Sequence, residues 1–219
     1  MKALTSTLRQ VASVARLMAR AGLVEAFGHV SARTGTGFAI TATTTPLGSA
    51  TAESVLAVDG DGALEGAPLE TPLHAAIYDA RPDLGAICRT HSPAMVAVGA
   101  AGDLPPLTHG LGGLAGAVAF ADQIQLVVDG HLAASLTAAL GGADCLLMRG
   151  NGGLATGESL EWAAVRAWYL EQRSRVWLDS GGRATALGEQ ESAERSRHWP
   201  VEAERAWRWL HWRFGEEVG

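Results

Sequence analysis

The sequence has little cysteine, no excess of basic residues and no long apolar run, and each shortage excludes a class of protein. Only two cysteines, Cys88 and Cys145, occur in 219 residues. Both lie in apolar segments, which favours buried thiols in a reducing cytoplasm over a disulfide framework. The net charge of −6 offers no basic face for nucleic acid. No apolar run approaches the roughly 20 residues of a membrane-spanning helix. A small-molecule partner is therefore expected, with no nucleic acid and no membrane.

What the sequence does hold is enough apolar material, 47% of residues, for one sizeable core. An apolar stripe at steps of four and three predicts a first helix that stops at Gly22; its members are Leu4, Leu8, Val11, Ala15 and Met18. A hairpin is expected over 28–45, and a second strand pair around 55–58 is expected to be closed by an Asp59-Gly60-Asp61-Gly62 turn. A helix follows over 70–80, with Leu73, Ile77 and Ala80 facing inward.

The second half of the chain continues the alternation of strands and helices. Ser92 and Pro93 are typical of a helix start, as an N-cap hydroxyl followed by proline at the first helical position. The remaining predicted elements are strands at 85–91, 117–120 and 145–148 (the last central), helices at 129–140, 158–178 and 200–214, a loop at 149–153 and a polar linker at 180–196. Interleaved helices and strands indicate an α/β fold, with a main domain over 1–180 and a linker and Trp-rich helix over 181–219.

Arg89 and His91 are the first candidates for chemistry. Positions i and i+2 of a strand share a face, so the two side chains are expected to lie together where the strand ends. The helix that follows begins there, and its free backbone N–H groups favour anions. A buried Arg is costly unless a negative group lies opposite it. Two interpretations remain open: a functional grip on an anion, or an Arg–Glu pair that joins two layers.

Glu70 and His74 stand at i and i+4 and are expected to share one helix face. Glu70 lies at the helix entrance, where a carboxylate also stabilises the helix dipole without any further role. For His74 alone, a satisfied core or surface histidine is the simpler interpretation. Two glycine-containing turns, 28–31 and 149–153, are each weak signals of a loop that lets a ligand approach the backbone.

Four segments, in order, resemble the class II aldolase/adducin family, and the resemblance runs over about 17–178. The segments are GLV at 22–24 with GHVSAR at 28–33, ETPLHAAIY at 70–78 with RPD at 81–83, AICRTHSP at 86–93, and LLMRGNG at 146–152. They match the family patterns "GLV…GN/HVS.R", "E..LH..IY..RPD", "AVVHTHSP" and "LLLRNHG". The resemblance implies a three-layer α/β/α sandwich with a central mixed, mostly antiparallel sheet. It also implies a homotetramer with the pocket between subunits, where residues of the last helix reach a neighbour's site.

The resemblance also implies a divalent metal such as Zn, Mn or Fe, held by both histidines of "HTH" and the one in "NHG", with the glutamate of "E..LH" as acid/base. Here only His91 of the three histidines is kept, while Arg89 and Asn151 stand at the other two positions and Glu70 is intact. Arg cannot ligate a metal because its guanidinium stays charged and offers no lone pair. An amide oxygen suits Mg or Ca better than Zn. The favoured interpretation is a metal-free site in which Arg89 supplies the positive charge; if a metal is bound, His91 is its one remaining histidine ligand.

A second departure concerns the substrate. Sugar-phosphate aldolases of the family carry a Ser-Ser pair just before the glutamate, where this chain has Pro68-Leu69, so a sugar phosphate is not expected. The GHVSAR and RG.G spellings, His109 after a Pro-Pro pair, and the Trp-rich last helix are similar to the branch that decarboxylates aromatic carboxylates. The four tryptophans 199, 207, 209 and 212 are expected either at a subunit interface or over the domain's own core.

The leading hypothesis is a lyase of the aldolase or decarboxylase type that acts on a small carboxylate or carbonyl compound. Arg89 would anchor the negative oxygen, Glu70 would move the proton, and His91 and Asn151 would hydrogen-bond the reacting group. Six further residues are expected to bind substrate: Gly28, His29, Ser31, Thr43, His109 and Arg149. Two alternatives stay open, namely a biosynthetic enzyme of diverged chemistry (cyclisation, elimination or isomerisation) and a catalytically silent, adducin-like binding module.

Overall fold

The computed structural model describes residues 2–59 and 64–215, so most of the predicted Asp59–Gly62 turn lies outside the described residues. The helices are α1 (Lys2–Arg20), α2 (Thr71–Ala80), α3 (Pro93–Ala101), α4 (Gly130–Leu140), α5 (Leu160–Asp179), α6 (Glu189–Ser196) and α7 (Trp199–Phe214). The strands are β1 (His29–Arg33), β2 (Gly37–Thr41), β3 (Val55–Asp59), β4 (Ala86–Thr90), β5 (Val118–Ala121), β6 (Cys145–Met148) and β7 (Gly153–Gly157). Short 3-10 helices cover Leu47–Ser49, Ala52–Ser54 and Gly110–Ala115.

The strands form one sheet in the order β3-β2-β1-β4-β7-β6-β5, with β4 in the middle. Neighbouring strands are antiparallel except β5 and β6, which are parallel. The predicted fold class, a mixed and mostly antiparallel sheet between helices, is confirmed.

Helices cover both faces of the sheet, and alternate residues of β4 point to opposite cores. Cys88 packs in a core cluster with residues of α1 and α5, whereas the adjacent Ile87 packs in a second cluster with residues of α2 and α4. All five residues of β4 are buried. The side chain of Arg89, two residues after Ile87, therefore extends toward the α2 layer.

Several local signals in the sequence are confirmed. The stripe of α1 buries Val11, Ala15 and Met18, whereas Leu8 is partly buried and Leu4 is exposed. The helix ends just before Gly22, with the Leu23 N–H donating back to the Met18 carbonyl at 3.0 Å. This bond closes the helix end in the manner of a Schellman motif. Helix α3 begins after Ser92 with proline at its first position, as predicted, but the Ser92 hydroxyl makes no cap hydrogen bond to the helix.

Four predictions about local structure are wrong. The loop before α5 contains strand β7, Gly153–Gly157. Strands are recognised in a sequence by β-branched and aromatic side chains, and β7 consists mainly of glycine and small residues, so it was not predicted. The predicted linker contains α6, whose first turn is stabilised by the Glu191 carboxylate accepting from the Gly188 N–H at 2.7 Å. Strand β6 lies next to the edge strand β5, so it is not central. Ala80 is exposed, because α2 ends there.

The C-terminal helix α7 packs on the same chain. Ala203, Ala206 and Leu210 are buried against Leu17 of α1 and Val165 of α5. The tryptophans divide: Trp199 and Trp207 are partly buried, whereas Trp209 is 41% and Trp212 is 79% exposed. No helix among the described residues is both long and apolar enough to span a bilayer.

Candidate active site

Four segments bring polar side chains together at one end of the neighbouring strands β1, β4 and β7. The antiparallel register of β1 and β4 places His29 opposite Arg89. The register of β4 and β7 places Thr90 opposite Gly153, just after the turn that carries Asn151. Glu70 directly precedes the first residue of α2 and lies beside the same strand ends, next to Arg89.

Arg89 is the centre of this cluster and is fully buried. Its Nε donates to Glu70 Oε2 at 3.0 Å. Its Nη1 donates to three backbone carbonyls, those of Thr90 at 2.7 Å, Asn151 at 2.9 Å and Gly153 at 3.3 Å. The guanidinium is thus fixed through Nε and Nη1, and the two N–H donors of Nη2 have no partner among the described residues.

The Glu70 carboxylate compensates the buried charge. Burial lowers the pKa of Arg89, and the nearby Glu70 carboxylate opposes that change; the guanidinium stays charged, since its ordinary pKa lies far above neutrality. Glu70 is itself buried, and its second oxygen, Oε1, has no partner among the described side chains and backbone groups. The pair therefore presents one open donor group and one open acceptor.

Three histidines surround the pair and are neutral at pH 7. Burial, reinforced by the charge of Arg89, lowers the pKa of His74 to about 3 and that of His91 to about 4. Burial also lowers the pKa of His29 well below its ordinary value, with further lowering from His74, Arg89 and His91. His29 Nε2 lies 3.9 Å from Glu70 Oε2. The histidines act as neutral hydrogen-bonding groups around a single cation.

His91 and Asn151 contact each other through their side chains. His91 Nε2 lies 3.2 Å from Asn151 Oδ1. Because the imidazole is neutral and the amide oxygen is an acceptor, the proton of His91 is assigned to Nε2. The backbone N–H of His91 donates to the Leu23 carbonyl at 3.2 Å, which fixes the chain at this point.

Ser31, predicted to bind substrate, is engaged inside the protein. Its hydroxyl lies 2.8 Å from His74 Nδ1 and 2.9 Å from the Tyr78 hydroxyl, and Ser31 is completely buried. Burial raises the pKa of Tyr78, so its hydroxyl stays protonated. All three groups are satisfied when Tyr78 donates to Ser31 and Ser31 donates to His74 Nδ1, which leaves the histidine proton on Nε2. His74 is thus a core histidine with one N–H facing the cluster's interior.

Two glycines let the backbone segments of the site approach each other. Gly28 has φ of 142°, and a Cβ there would lie 2.9 Å from the Arg89 carbonyl oxygen. Gly152 has φ of 67°, and a Cβ there would collide with the Thr90 carbonyl oxygen. Gly28, predicted to bind substrate, therefore has a packing role in this structure.

The structure does not bring three other predicted substrate-binding residues into these contacts. Thr43 is exposed, and its backbone N–H donates to the Gly66 carbonyl at 2.9 Å. His109 caps the 3-10 helix Gly110–Ala115, with Nδ1 accepting from the Gly112 N–H at 3.2 Å; burial lowers its pKa, and Arg173 of α5 adds to the effect. Arg149 is about half exposed and pairs with Asp122.

Sequence analysis missed Glu171, a buried carboxylate of α5. Its oxygens accept from the Ser92 hydroxyl at 2.7 Å and from the backbone N–H groups of Ala94 at 3.3 Å and Met95 at 3.1 Å. The N-terminus of α3, predicted to be free to attract an anion, is therefore already filled by the protein's own carboxylate. The sequence shows Glu171 only as one acidic residue in a long helix. From a single sequence such a residue cannot be distinguished from a glutamate on the helix surface.

The donor set does not fit the divalent metal that the family resemblance implies. Arg89 places a permanent positive charge in the cluster and binds Glu70 Oε2, so a second cation would face a charge with no further anion to offset it. His91 is turned toward an amide oxygen, and one imidazole with one amide is a poor set for Zn. Over residues 2–59 and 64–215, no three His, Cys, Asp or Glu side chains are grouped to hold a metal ion.

Solved structures place this architecture in one enzyme fold. An aldolase II superfamily protein from Pseudomonas syringae superposes with a TM-score of 0.81 at 25% identity, over 96% of this chain and 92% of that one. An L-fuculose 1-phosphate aldolase from Glaciozyma antarctica PI12 superposes with a TM-score of 0.80 at 18% identity, over 97% and 92%. The fold is that of class II aldolases.

The chain belongs to the class II aldolase and adducin family, since the family model of the Class II Aldolase and Adducin N-terminal domain matches residues 9–178. It is also 30% identical, over 84% of each chain, to 3,4-dihydroxyphthalate decarboxylase of Arthrobacter keyseri. These findings confirm the resemblance, including its decarboxylase-like branch. They make the chain an enzyme of the lyase class.

Proposed function

We propose that this lyase removes CO2 from a small aromatic carboxylate, with Arg89 as the electrophilic group. One observation carries the proposal: five polar atoms of one buried cluster have no partner among the described residues. They are Glu70 Oε1, Arg89 Nη2, His29 Nδ1, His74 Nε2 and His91 Nδ1. Buried polar atoms in native proteins are nearly always hydrogen-bonded, so a group of exceptions at one place indicates a polar ligand.

Arg89 is suited to hold an anionic oxygen of the substrate. Its Nη1 donates to the backbone carbonyls of Thr90, Asn151 and Gly153, at the end of β4 and the start of β7. Its Nη2 has no partner among the described residues and remains a donor. A charged N–H group at a fixed position stabilises a phenolate or enolate oxygen more strongly than water does, because it needs no reorganisation. The substrate oxygen would bind at Nη2, beside Glu70.

Glu70 would supply the proton that the reaction consumes. When the bond from the ring carbon to the carboxylate breaks, CO2 leaves and the electron pair stays on the ring carbon. The Glu70 carboxylate would take up a proton from solvent at Oε1 and pass it to that carbon, returning to the carboxylate that Arg89 stabilises. One proton is taken up for each CO2 released, and the group is ready again after reprotonation from solvent.

His91 and Asn151 would orient the reacting group as a neutral pair. With the His91 proton on Nε2 and the Asn151 oxygen as its acceptor, the Asn151 NH2 group remains a donor for a substrate oxygen. His29 Nδ1 and His74 Nε2 add one neutral polar atom each. Because the histidines are neutral, Arg89 is the one cation among the described residues of the cluster that faces the charge of the bound substrate.

The substrate class rests on the relatives and on the residues before Glu70. A relative at 30% identity is named for 3,4-dihydroxyphthalate, an aromatic ring with two carboxylates and two hydroxyls. The sequence Pro68-Leu69 offers no hydroxyls for a phosphate at the position where the sugar-phosphate aldolases carry two serines. We therefore place an aromatic hydroxy-carboxylate ahead of a sugar phosphate.

A homotetramer is proposed as the assembly. In support, three large apolar side chains near the site are exposed in the single chain: Phe27 (75%), Leu69 (64%) and Ile124 (50%). Phe27 and Leu69 directly precede the Gly28 turn and Glu70, and Ile124 Cδ1 would lie 3.5 Å from a Cβ on Gly150. Light scattering measures the mass in solution, and a monomer at every concentration would contradict this assembly.

The test is CO2 release from 3,4-dihydroxyphthalate and from related aromatic acids that lack one carboxylate or one hydroxyl. Glu70→Gln and Arg89→Lys are expected to lower kcat by at least about a hundredfold while circular dichroism shows a folded protein. The exposed pair Glu194→Gln and Arg183→Lys are matched controls and should retain full activity. Full turnover by either site variant refutes the assigned roles.

The same experiment separates the two other functions. A silent binding module would bind the acids, with a Kd measurable by calorimetry, and release no CO2. A diverged biosynthetic enzyme would consume substrate and yield a product of unchanged carbon count. Neither outcome is compatible with proton delivery from Glu70 to a decarboxylated carbon.

A further inference from the structure

Glu171 is a buried carboxylate with four donors around it and no place in the chemistry above. It lies in the middle of α5 and is almost fully buried. Its Oε2 accepts from the Ser92 hydroxyl and the Met95 N–H, and its Oε1 accepts from the Ala94 N–H and from Arg175 Nη2 at 2.9 Å. Arg175 is about half exposed, so the three donors of the β4–α3 turn are the buried ones.

These contacts replace the usual cap of α3. The first N–H groups of a helix lack partners within the helix, and a residue such as serine at the N-cap commonly supplies one from its side chain. Ser92 stands at that position and makes no such bond. Its hydroxyl instead donates to Glu171, and the carboxylate takes over the N–H groups of Ala94 and Met95. The start of α3 is therefore held by α5.

The residue directly before this cap is His91. Its backbone N–H is bound to the Leu23 carbonyl, and Gly152 packs so closely that a Cβ there would lie 2.9 Å from the His91 Cα. Leu23 and Gly152 thus fix His91 on one side, and the Ser92–Glu171 bond fixes the chain that leaves it. The His91 ring reaches Asn151 from a backbone restrained on both sides.

We infer that Glu171 is a positioning residue for His91, acting through Ser92 and the first turn of α3. The effect on turnover rests on the proposed function of His91, whereas the effect on the position of the His91 ring does not. Removal of the carboxylate frees the Ser92 hydroxyl and two helix N–H groups, which rebond to water and shift the turn. A displacement of about 1 Å at a reacting group can lower the rate about a hundredfold.

The experiment compares Glu171→Ala with Arg175→Ala, which removes only the exposed partner of the same carboxylate. The first readout is the long-range ¹H–¹⁵N spectrum of the His91 ring, assigned by loss of its signals in His91→Gln. In Glu171→Ala these signals are expected to move, and kcat to fall about ten- to hundredfold with a smaller change in KM. Arg175→Ala should match the wild type in both.

Chemical rescue sharpens the test. Formate fits the space of the lost carboxylate and meets the same three buried donors, so it should return the His91 signals and part of kcat in Glu171→Ala, while chloride at equal ionic strength should not. If Glu171→Ala does not fold, the same measurements are made on Glu171→Asp, in which the carboxylate is one methylene shorter. Wild-type His91 signals in a folded variant overturn the inference. If no acid is turned over by the wild type, the proposed function fails, and the spectra still decide the role of Glu171.

Discussion

Replacing Arg89 by methionine tests whether the buried pair is a true ion pair. Methionine is shorter than arginine but of comparable volume and carries no charge, so the change removes the guanidinium with little loss of volume. Glu70 is then left buried with no cation, and removal of one partner from such a pair typically costs about 3–5 kcal/mol. Against a total stability on the order of 5–15 kcal/mol, the variant should remain folded with a clearly lower midpoint in urea.

The partner variants complete a double-mutant cycle. Glu70→Gln leaves the guanidinium with a neutral amide and should cost about 2–3 kcal/mol, since hydrogen bonds to charged groups contribute about that much. The double variant Arg89→Met/Glu70→Gln leaves no charge at this pair and should lie within about 1–2 kcal/mol of the wild type. The summed costs of the two single changes should therefore exceed the cost of the double change by at least about 3 kcal/mol.

Urea unfolding followed by tryptophan fluorescence provides the assay, because the chain has seven tryptophans. Equal m-values among the variants are needed for the cycle to be valid, and two protein concentrations control for assembly. A cost below about 1 kcal/mol for Arg89→Met, or additive single costs, would show that Arg89 and Glu70 do not depend on each other. That result would refute the reasoning on which the candidate site rests.

Two other predictions concern pH and metals. The pKa of His74 is about 3 in the folded protein and about 6.5 when unfolded, so protonation favours unfolding. The stability that neutral His74 contributes is present above about pH 6.5 and is lost as the pH falls, by about 3 kcal/mol at about pH 4.5. Urea titrations should show this loss in the wild type and a flatter pH dependence in His74→Gln; equal slopes would contradict it. Elemental analysis of the wild type should find no stoichiometric Zn, Mn or Fe, and chelators should leave Tm unchanged, whereas Arg89→His/Asn151→His should bind Zn and gain Tm. Stoichiometric metal in the wild type would reverse the metal-free interpretation.

The elements with strong local signals could be predicted from the sequence alone. The apolar stripe of α1, the Ser92-Pro93 start of α3 and the apolar run of β6 each belong to one segment, and each segment determines its own structure. Strand β7 lacked such a signal, because Gly153–Gly157 is made of small residues whose strand conformation is imposed by β4 and β6 on either side. Pairing with distant partners leaves no periodicity in the strand itself.

The candidate site divides in the same way. The motif order brought Glu70, Arg89, His91 and Asn151 to attention, and the structure places these four in one connected set of contacts. Other contacts depend on how the layers pack and leave no signal in the sequence. Ser31 hydrogen-bonds with Tyr78 and His74, and Glu171 of α5 accepts hydrogen bonds from the start of α3. Thr43, His109 and Arg149 were also expected to bind substrate, and the structure gives them other partners.

The guanidinium of Arg89 is covalently part of the chain and is held by the carbonyl groups of three residues. A resident ion exchanges with solution and can be withdrawn by a chelating pair of adjacent aromatic hydroxyls, such as the pair in 3,4-dihydroxyphthalate, for which a relative is named. A cation built into a side chain cannot be extracted in this way. For the aromatic hydroxy-carboxylate proposed as substrate, the site could therefore not be dismantled by the molecule that it binds.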